Sequence, residues 1–365
     1  KMVSKPLFKQ SIKANWTMWL AVTVGMCVIL TTINMIMGSM DFSSLHQDEE
    51  LLAQYVTLYE LYNTGSLSVS LDLSGVPEEL LPFIPENFTI SLPFDPSTIP
   101  SYILELLPED LVEKINLLPT TPNLSYEGFL TAMGVDAEKL TAMSTMDIDK
   151  FIQDMYYTMA GVMLAMIYVI VTANKLVAAQ VDRGSMAYVL STPTKRSTVM
   201  WTQMLFMVLS LFGMFFITAG VGLLTQWIGY GGLTWADAAQ VLLLNLGGFC
   251  VMLAVSGICF MASCLFSLSK HSLAVGGSIT VFFFVCKILG MFGQPDFVNL
   301  GMGVEAMNVF NYMTIVSLLD STAIATIGTG AVSLAFLWKF AILIGIAVVT
   351  YAAGMWRFTK KDLPL

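Results

Sequence analysis

Asp182, Arg183, Gly184 and Ser185 stand where one long apolar run ends, and Lys195 and Arg196 stand where the next begins. Between them Met186, Val189 and Leu190 fall about one helical turn apart, and Pro193 follows Thr192. Residue types in that order can recognise a surface; they cannot make or break bonds. Gly184 breaks the outgoing helix, Ser185 can cap a new one, the three apolar residues share a face, and Pro193 ends the turn. Val181–Arg196 is therefore expected to form a one- to two-turn helix with an exposed apolar face. Such a face suits either a groove on another protein or the headgroup layer of a membrane. A second set of charges lies inside apolar runs: Lys287 and Lys339. A lysine at the bilayer centre costs about 2.5–3.5 kcal/mol on insertion scales, so each needs a reason. They are expected to snorkel or to pair with Glu305 or Asp320. The sharper alternative is that they attract an anionic headgroup or close a gate. No paired nucleophile and base, no metal-ligand spacing and no G-x-x-x-x-G-K-[ST] phosphate loop occurs anywhere.

The elements that must position these residues are membrane spans. Of the 365 residues 56% are hydrophobic and 12% charged, where soluble domains carry about 25% charged residues. Roughly 20 apolar residues cross a bilayer. Six stretches qualify, near Trp16–Gly38, Met155–Thr172, Met200–Leu224, Ala238–Phe260, Leu273–Phe292 and Val332–Trp356. The first has a basic approach but is too long for a leader and lacks a small-residue cleavage site, so it is expected to be an anchor. Ahead of it, Leu7, Phe8, Ile12 and Trp16 recur at helical spacing opposite Lys5, Lys9 and Lys13. That pattern predicts an interfacial elbow helix.

Twelve of the 17 basic residues flank alternate span ends, including all those before the first span and after the last. Both termini are then cytosolic and the span count is even. Val309–Ile327 is apolar enough to pass for a seventh span, but it would break that parity and contains Asp320. It is expected to be a pair of short re-entrant helices packed against protein. The net charge of −9 conceals a split: residues 39–151 hold 19 acidic and three basic residues, and the remainder 14 basic and seven acidic. An acidic outer domain on a basic-footed body excludes nucleic acid as a partner and suits a bacterial plasma (inner) membrane. Within that domain Leu67–Leu73 alternates as a strand would, Phe88–Leu92 is its candidate partner, and seven prolines from Pro77 to Pro108 keep the elements short. All five cysteines lie in or beside spans, so no disulfide framework is expected. Phe215–Phe216 and Phe282–Phe284 could line an apolar path, although lipid-facing packing accounts for them as well.

The run of Asp182, Gly184, Ser185, Leu190, Ser191, Thr192, Pro193 and Arg196 resembles the type-2 ATP-binding-cassette exporter permeases. The topology and the tail Lys360-Lys361-Asp362-Leu363 are similar too, and Tyr312–Asp320 resembles the family's re-entrant segment. Gln180 departs from the pattern, standing where many members carry Glu. The resemblance implies that 181–196 is the coupling helix, with Asp182, Arg183, Gly184, Ser185, Met186, Val189, Leu190, Thr192, Pro193 and Arg196 meeting the ATPase. It also implies two separate ATPase subunits, which hold the ATP and Mg, and a second permease chain, identical or paralogous. No cofactor is expected on this chain.

The fold expected is an α-helical polytopic membrane protein of six transmembrane helices. Residues 1–38 form the elbow and first span, 39–151 a small α+β extracellular domain, and 152–365 spans two to six with re-entrant helices between the last two. The expected function is outward movement of an amphipathic or hydrophobic drug, peptide or lipid. Two alternatives stand beside it. A sensor or resistance scaffold would use the outer domain to bind a ligand. An ion-gradient transporter would need midplane carboxylates or histidines and usually a repeat, and none is present.

Overall fold

The computed structural model describes residues 3–39, 152–153, 155–186, 195–299, 301–328 and 333–361, with residues 56 and 59 and two strands in the intervening segment. The chain divides into two compact units, one of residues 1–40, 147–298 and 302–365, the other of 41–146 with 299–301. In the second, β1 (Ser66–Ser70) and β2 (Asn87–Ser91) pair antiparallel, Leu67 opposite Ile90 and Val69 opposite Phe88. This is the strand pair that alternation in the sequence anticipates.

The first unit contains six helices long and apolar enough to cross a membrane. They are α1 (Lys5–Ser39), the continuous pair α2 (Gly161–Leu176) and α3 (Ala178–Asp182), α4 (Arg196–Gly229), α5 (Trp235–Leu265), α6 (Ser269–Met291) and, later in the chain, the final helix Ala335–Lys360. The 35 residues of α1 measure about 52 Å, well beyond a hydrocarbon core of about 30 Å. Here the structure corrects the sequence reading. The elbow is not a separate helix; the amphipathic stretch runs unbroken into the first span. Leu7 and Ser11 turn inward, and Ser11 Oγ donates to Gln203 Oε1 on α4 at 2.8 Å. Pro6 does not break α1 because it sits in the first turn, where no backbone N–H is needed.

Between α6 and the final helix the chain makes short turns: a 3-10 turn at Glu305–Asn308, α7 (Val309–Tyr312), a second 3-10 turn at Ile315–Leu318 and α8 (Ser321–Ala325). The final helix is α9. No continuous seventh span forms here. Side-chain hydrogen bonds in both directions pin these short elements to α5 and α6. Asn311 Nδ2 donates to Gly290 O at 2.8 Å, Thr314 Oγ1 to Phe283 O at 2.8 Å, and Gln240 Nε2 to Ile327 O at 2.7 Å. Phe283 lies eight residues before the end of α6, so the segment reaches about 12 Å along it.

At the centre stands α5, packed against α2, α4, α6 and α9. Its N-terminus carries a capping box of Thr234 and Asp237. Lipid offers no hydrophobic drive between helices, so small residues and hydrogen bonds hold them together. A side chain at Gly257 would collide with Thr350 on α9, and one residue away Ser256 and Tyr351 hydroxyls meet at 2.6 Å. On the other flank Asn34 of α1 donates to Thr225 Oγ1 of α4 at 2.8 Å.

Candidate functional site

The ends of α3, α4, α5, α6 and α9 that carry the flanking basic residues converge, and the segment leaving α3 is pinned among them. Asp182 accepts from the backbone N–H of Ser269 at 3.2 Å, which places a carboxylate at the first turn of α6. An anion is favoured there by the helix dipole and by unsatisfied N–H groups. Asn174 Nδ2 reaches the same residue, donating to Ser269 Oγ at 2.7 Å. After Asp182 the chain turns at Gly184, whose φ of 70° is left-handed and suits only a residue without a Cβ.

At the other end of the segment, Arg196 Nη1 donates to Lys361 O at 2.9 Å. Lys361 in turn extends Nζ to Cys264 O at 3.2 Å and Leu265 O at 3.0 Å, the open carbonyls that end α5. Burial pulls the Lys361 ammonium below its ordinary pKa of 10.5; nearby Cys264 opposes that shift and Arg357 adds to it. Two polar contacts thus tie the ends of the segment to three different helices: Asp182 to α6, and Arg196 to α9 and, through Lys361, to α5.

Asp182, Arg183, Gly184 and Ser185 are exposed, as surface contact would require. Ser185 opens a new helical turn after the break, and its hydroxyl donates back to Gln180 O at 3.1 Å, closing the end of α3. One detail differs from the sequence reading, the placement of Met186. Met186 is not part of an exposed face, being only 2% accessible and packed into the core. Just past a left-handed glycine, the chain is directed back onto the bundle, and a thioether fills the gap. Val189, Leu190, Thr192 and Pro193 lie outside the described residues. Gln180, the departure from the family pattern, has a buried Oε1 with no hydrogen-bond partner among the described residues.

The charges at the opposite end also come together in part. Lys339 Nζ meets Asp320 Oδ2 at 2.6 Å, with 23% and 13% of the two side chains exposed. Asp320 is also the N-cap of α8, its Oδ1 accepting from Ala323 N at 3.1 Å and Thr322 Oγ1 at 2.9 Å. Burial alone would push its carboxyl upward; Lys339 and the Ala323 and Thr322 donors outweigh that and hold it below 3.8. Lys287 is buried in α6, and Glu305 is exposed at the start of its 3-10 turn. Sequence reasoning missed Asn174, Ser269 and Lys361 as partners of the segment. Of these only Lys361 carried a signal, as part of a basic tail; the other two became visible once α2 and α6 were side by side.

A family model described as "ABC-2 family transporter protein" matches residues 8–363. No curated protein and no solved structure matches the chain.

Proposed function

Because the chain belongs to the ABC-2 family of transporter proteins, we propose that its segment 181–196 receives the power stroke of separate ATPase subunits and passes it into the bundle. As an ABC-2 permease the chain works with ATPase subunits that carry the hydrolysis of ATP. In this reading two such subunits serve a pair of permease chains, identical or paralogous. The ends bearing Lys5, Lys9, Lys13, Arg357 and Lys360 face the cytosol of a bacterial plasma membrane, and 39–151 lies outside. The assembly moves an amphipathic or hydrophobic drug, peptide or lipid outward.

The observation that carries the reading is the double anchorage of the segment, Asp182 on Ser269 N and Arg196 on Lys361 O. A push on an unanchored loop would dissipate in the loop. A push on this one displaces the ends of α5, α6 and α9 together, because hydrogen bonds made by charged side chains join them. The exposed Ser185 gives the test. A Ser185→Cys permease, purified with its partner ATPase, should form a bismaleimide crosslink to that ATPase, lost when the ATPase is omitted. Labelling of the Ser185→Cys thiol by an impermeant reagent on intact cells would place the segment on the wrong side and end the proposal.

A further inference from the structure

Between α4 and α5, away from both sites above, lies a cleft of about 130 Å³. Phe212, Phe215 and Phe216 on α4 and Phe249 on α5 line it with Asn245. The rings brace one another: Phe212 stacks on Phe216 at 6.0 Å and meets Phe249 edge-on at 5.9 Å. The mouth opens sideways on the bundle surface, where Phe216 is 69% and Leu242 50% exposed. Asn245 follows the start of α5 by ten residues, so the cleft sits about 15 Å from that end, within the apolar length of the span.

Asn245 is 3% exposed, and its amide is already oriented. Both its N–H groups are spent, one on Val241 O at 2.9 Å and one on the Tyr157 hydroxyl at 3.1 Å. Tyr157 is itself held inside the π-turn Tyr156–Ala160, where Tyr156 donates to Met26 O on α1 at 3.0 Å. What remains is Oδ1, buried and without a partner among the described residues. A buried amide oxygen left unpaired is costly, and such an atom calls for a donor. The polar and aromatic features of the lining share an electrostatic sign, phenylalanine faces being electron-rich and the amide oxygen an acceptor, while Ala219, Leu242 and Leu246 are neutral and apolar. Among the described residues that line the cleft none is charged.

We propose that this cleft binds the ammonium end of a cationic amphiphile that enters from the lipid, with Asn245 Oδ1 accepting from the N–H and the phenylalanine rings flanking the charge. An anionic head would be repelled. A zwitterionic phospholipid is disfavoured because nothing cationic is present to take its phosphate. The inference stands on the cleft alone and does not depend on the direction of transport.

The test uses the full chain with its ATPase in phosphatidylcholine nanodiscs, without ATP, and three photoreactive diazirine probes: dodecylamine, dodecanoate and dodecane. The amine should label peptides containing residues 212–216 and 242–249, and unlabelled dodecylamine should compete it away. The carboxylate and the alkane should not label there saturably. Asn245→Leu should weaken the amine by about tenfold or more, as loss of a hydrogen bond to a charged donor implies. Phe216→Leu, a change at an exposed position, should weaken it by a few-fold and guards against a folding artefact in the first variant. Equal labelling by the alkane, wild-type affinity in Asn245→Leu, or competition by phosphatidylethanolamine in place of dodecylamine would each overturn the proposal. So would a disulfide between two copies at Phe216→Cys that leaves no amine labelling. Loss of the ATPase crosslink would sink the coupling reading and leave this binding untouched.

Discussion

The ion pair of Lys339 and Asp320 shows how one contact can answer two needs. Lys339 lies inside an apolar helix, and Asp320 caps a short helix that the bilayer would not tolerate uncapped. Removing one partner leaves the other charge half-buried and alone. Lys339→Met should therefore destabilise by about 1–3 kcal/mol, between the limits for surface and fully buried pairs. Adding Asp320→Asn should recover part of that loss, read as the midpoint of thermal unfolding in detergent. The pH dependence has a definite sign. The folded carboxyl of Asp320 is held below its ordinary 3.8, so its contribution is complete above that pH and disappears as pH falls through the depressed value. The wild type should lose this contribution in acid, and Asp320→Asn should not show that step.

At the scale of elements, the proposed coupling role of the segment after α3 rests on its two ends. Gly184 holds a left-handed conformation that costs a residue with a Cβ about 1–2 kcal/mol. Gly184→Ala should leave the bundle assembled, since nothing lies within 4 Å of the added methyl, and should lower transport-coupled ATP hydrolysis. Arg196→Ala releases the contact with Lys361 O. Its expected signature is ATPase that still binds but is no longer stimulated by substrate; full stimulation would show that the contact does not transmit force. A packing substitution should behave differently. At Gly257→Val the new side chain runs into Thr350 and the backbone of α9, with no flexible tip to give way. That variant should fail in folding itself, seen as loss of the monodisperse peak and of expression.

For the whole molecule, the distribution of basic residues and the helix packing describe the same frame: six long helices whose basic ends share one side. In the proposed mechanism a force applied at Asp182 and Arg196 reaches α5, the central helix, through α6 and α9. If so, thiol reagents should reach Ser185→Cys only from the cytosolic side, in vesicles of known orientation. Both chain termini should be protected from external protease in intact cells. Either result reversed would invert the frame and with it the proposed direction of movement.

Number and order of the long apolar helices were legible in sequence because hydrocarbon thickness imposes an apolar length that few other constraints imitate. The β1–β2 pairing, the break at Gly184 and the broken segment around Asp320 were legible too, each following from a local rule of alternation, backbone sterics or charge. The continuous α1 was not legible, since an amphipathic flank reads alike whether it lies on lipid or packs on α4. Nor was the inward turn of Met186, because a methionine on a short apolar face looks the same exposed or buried. Long-range partners such as Asp182 with Ser269, Lys361 with the end of α5, and Asn245 with Tyr157 came only from the tertiary structure. They join residues 87, 97 and 88 positions apart. Periodicity reports which face of a helix is apolar; which neighbour that face meets, and which polar atom is left over, depends on how the helices pack.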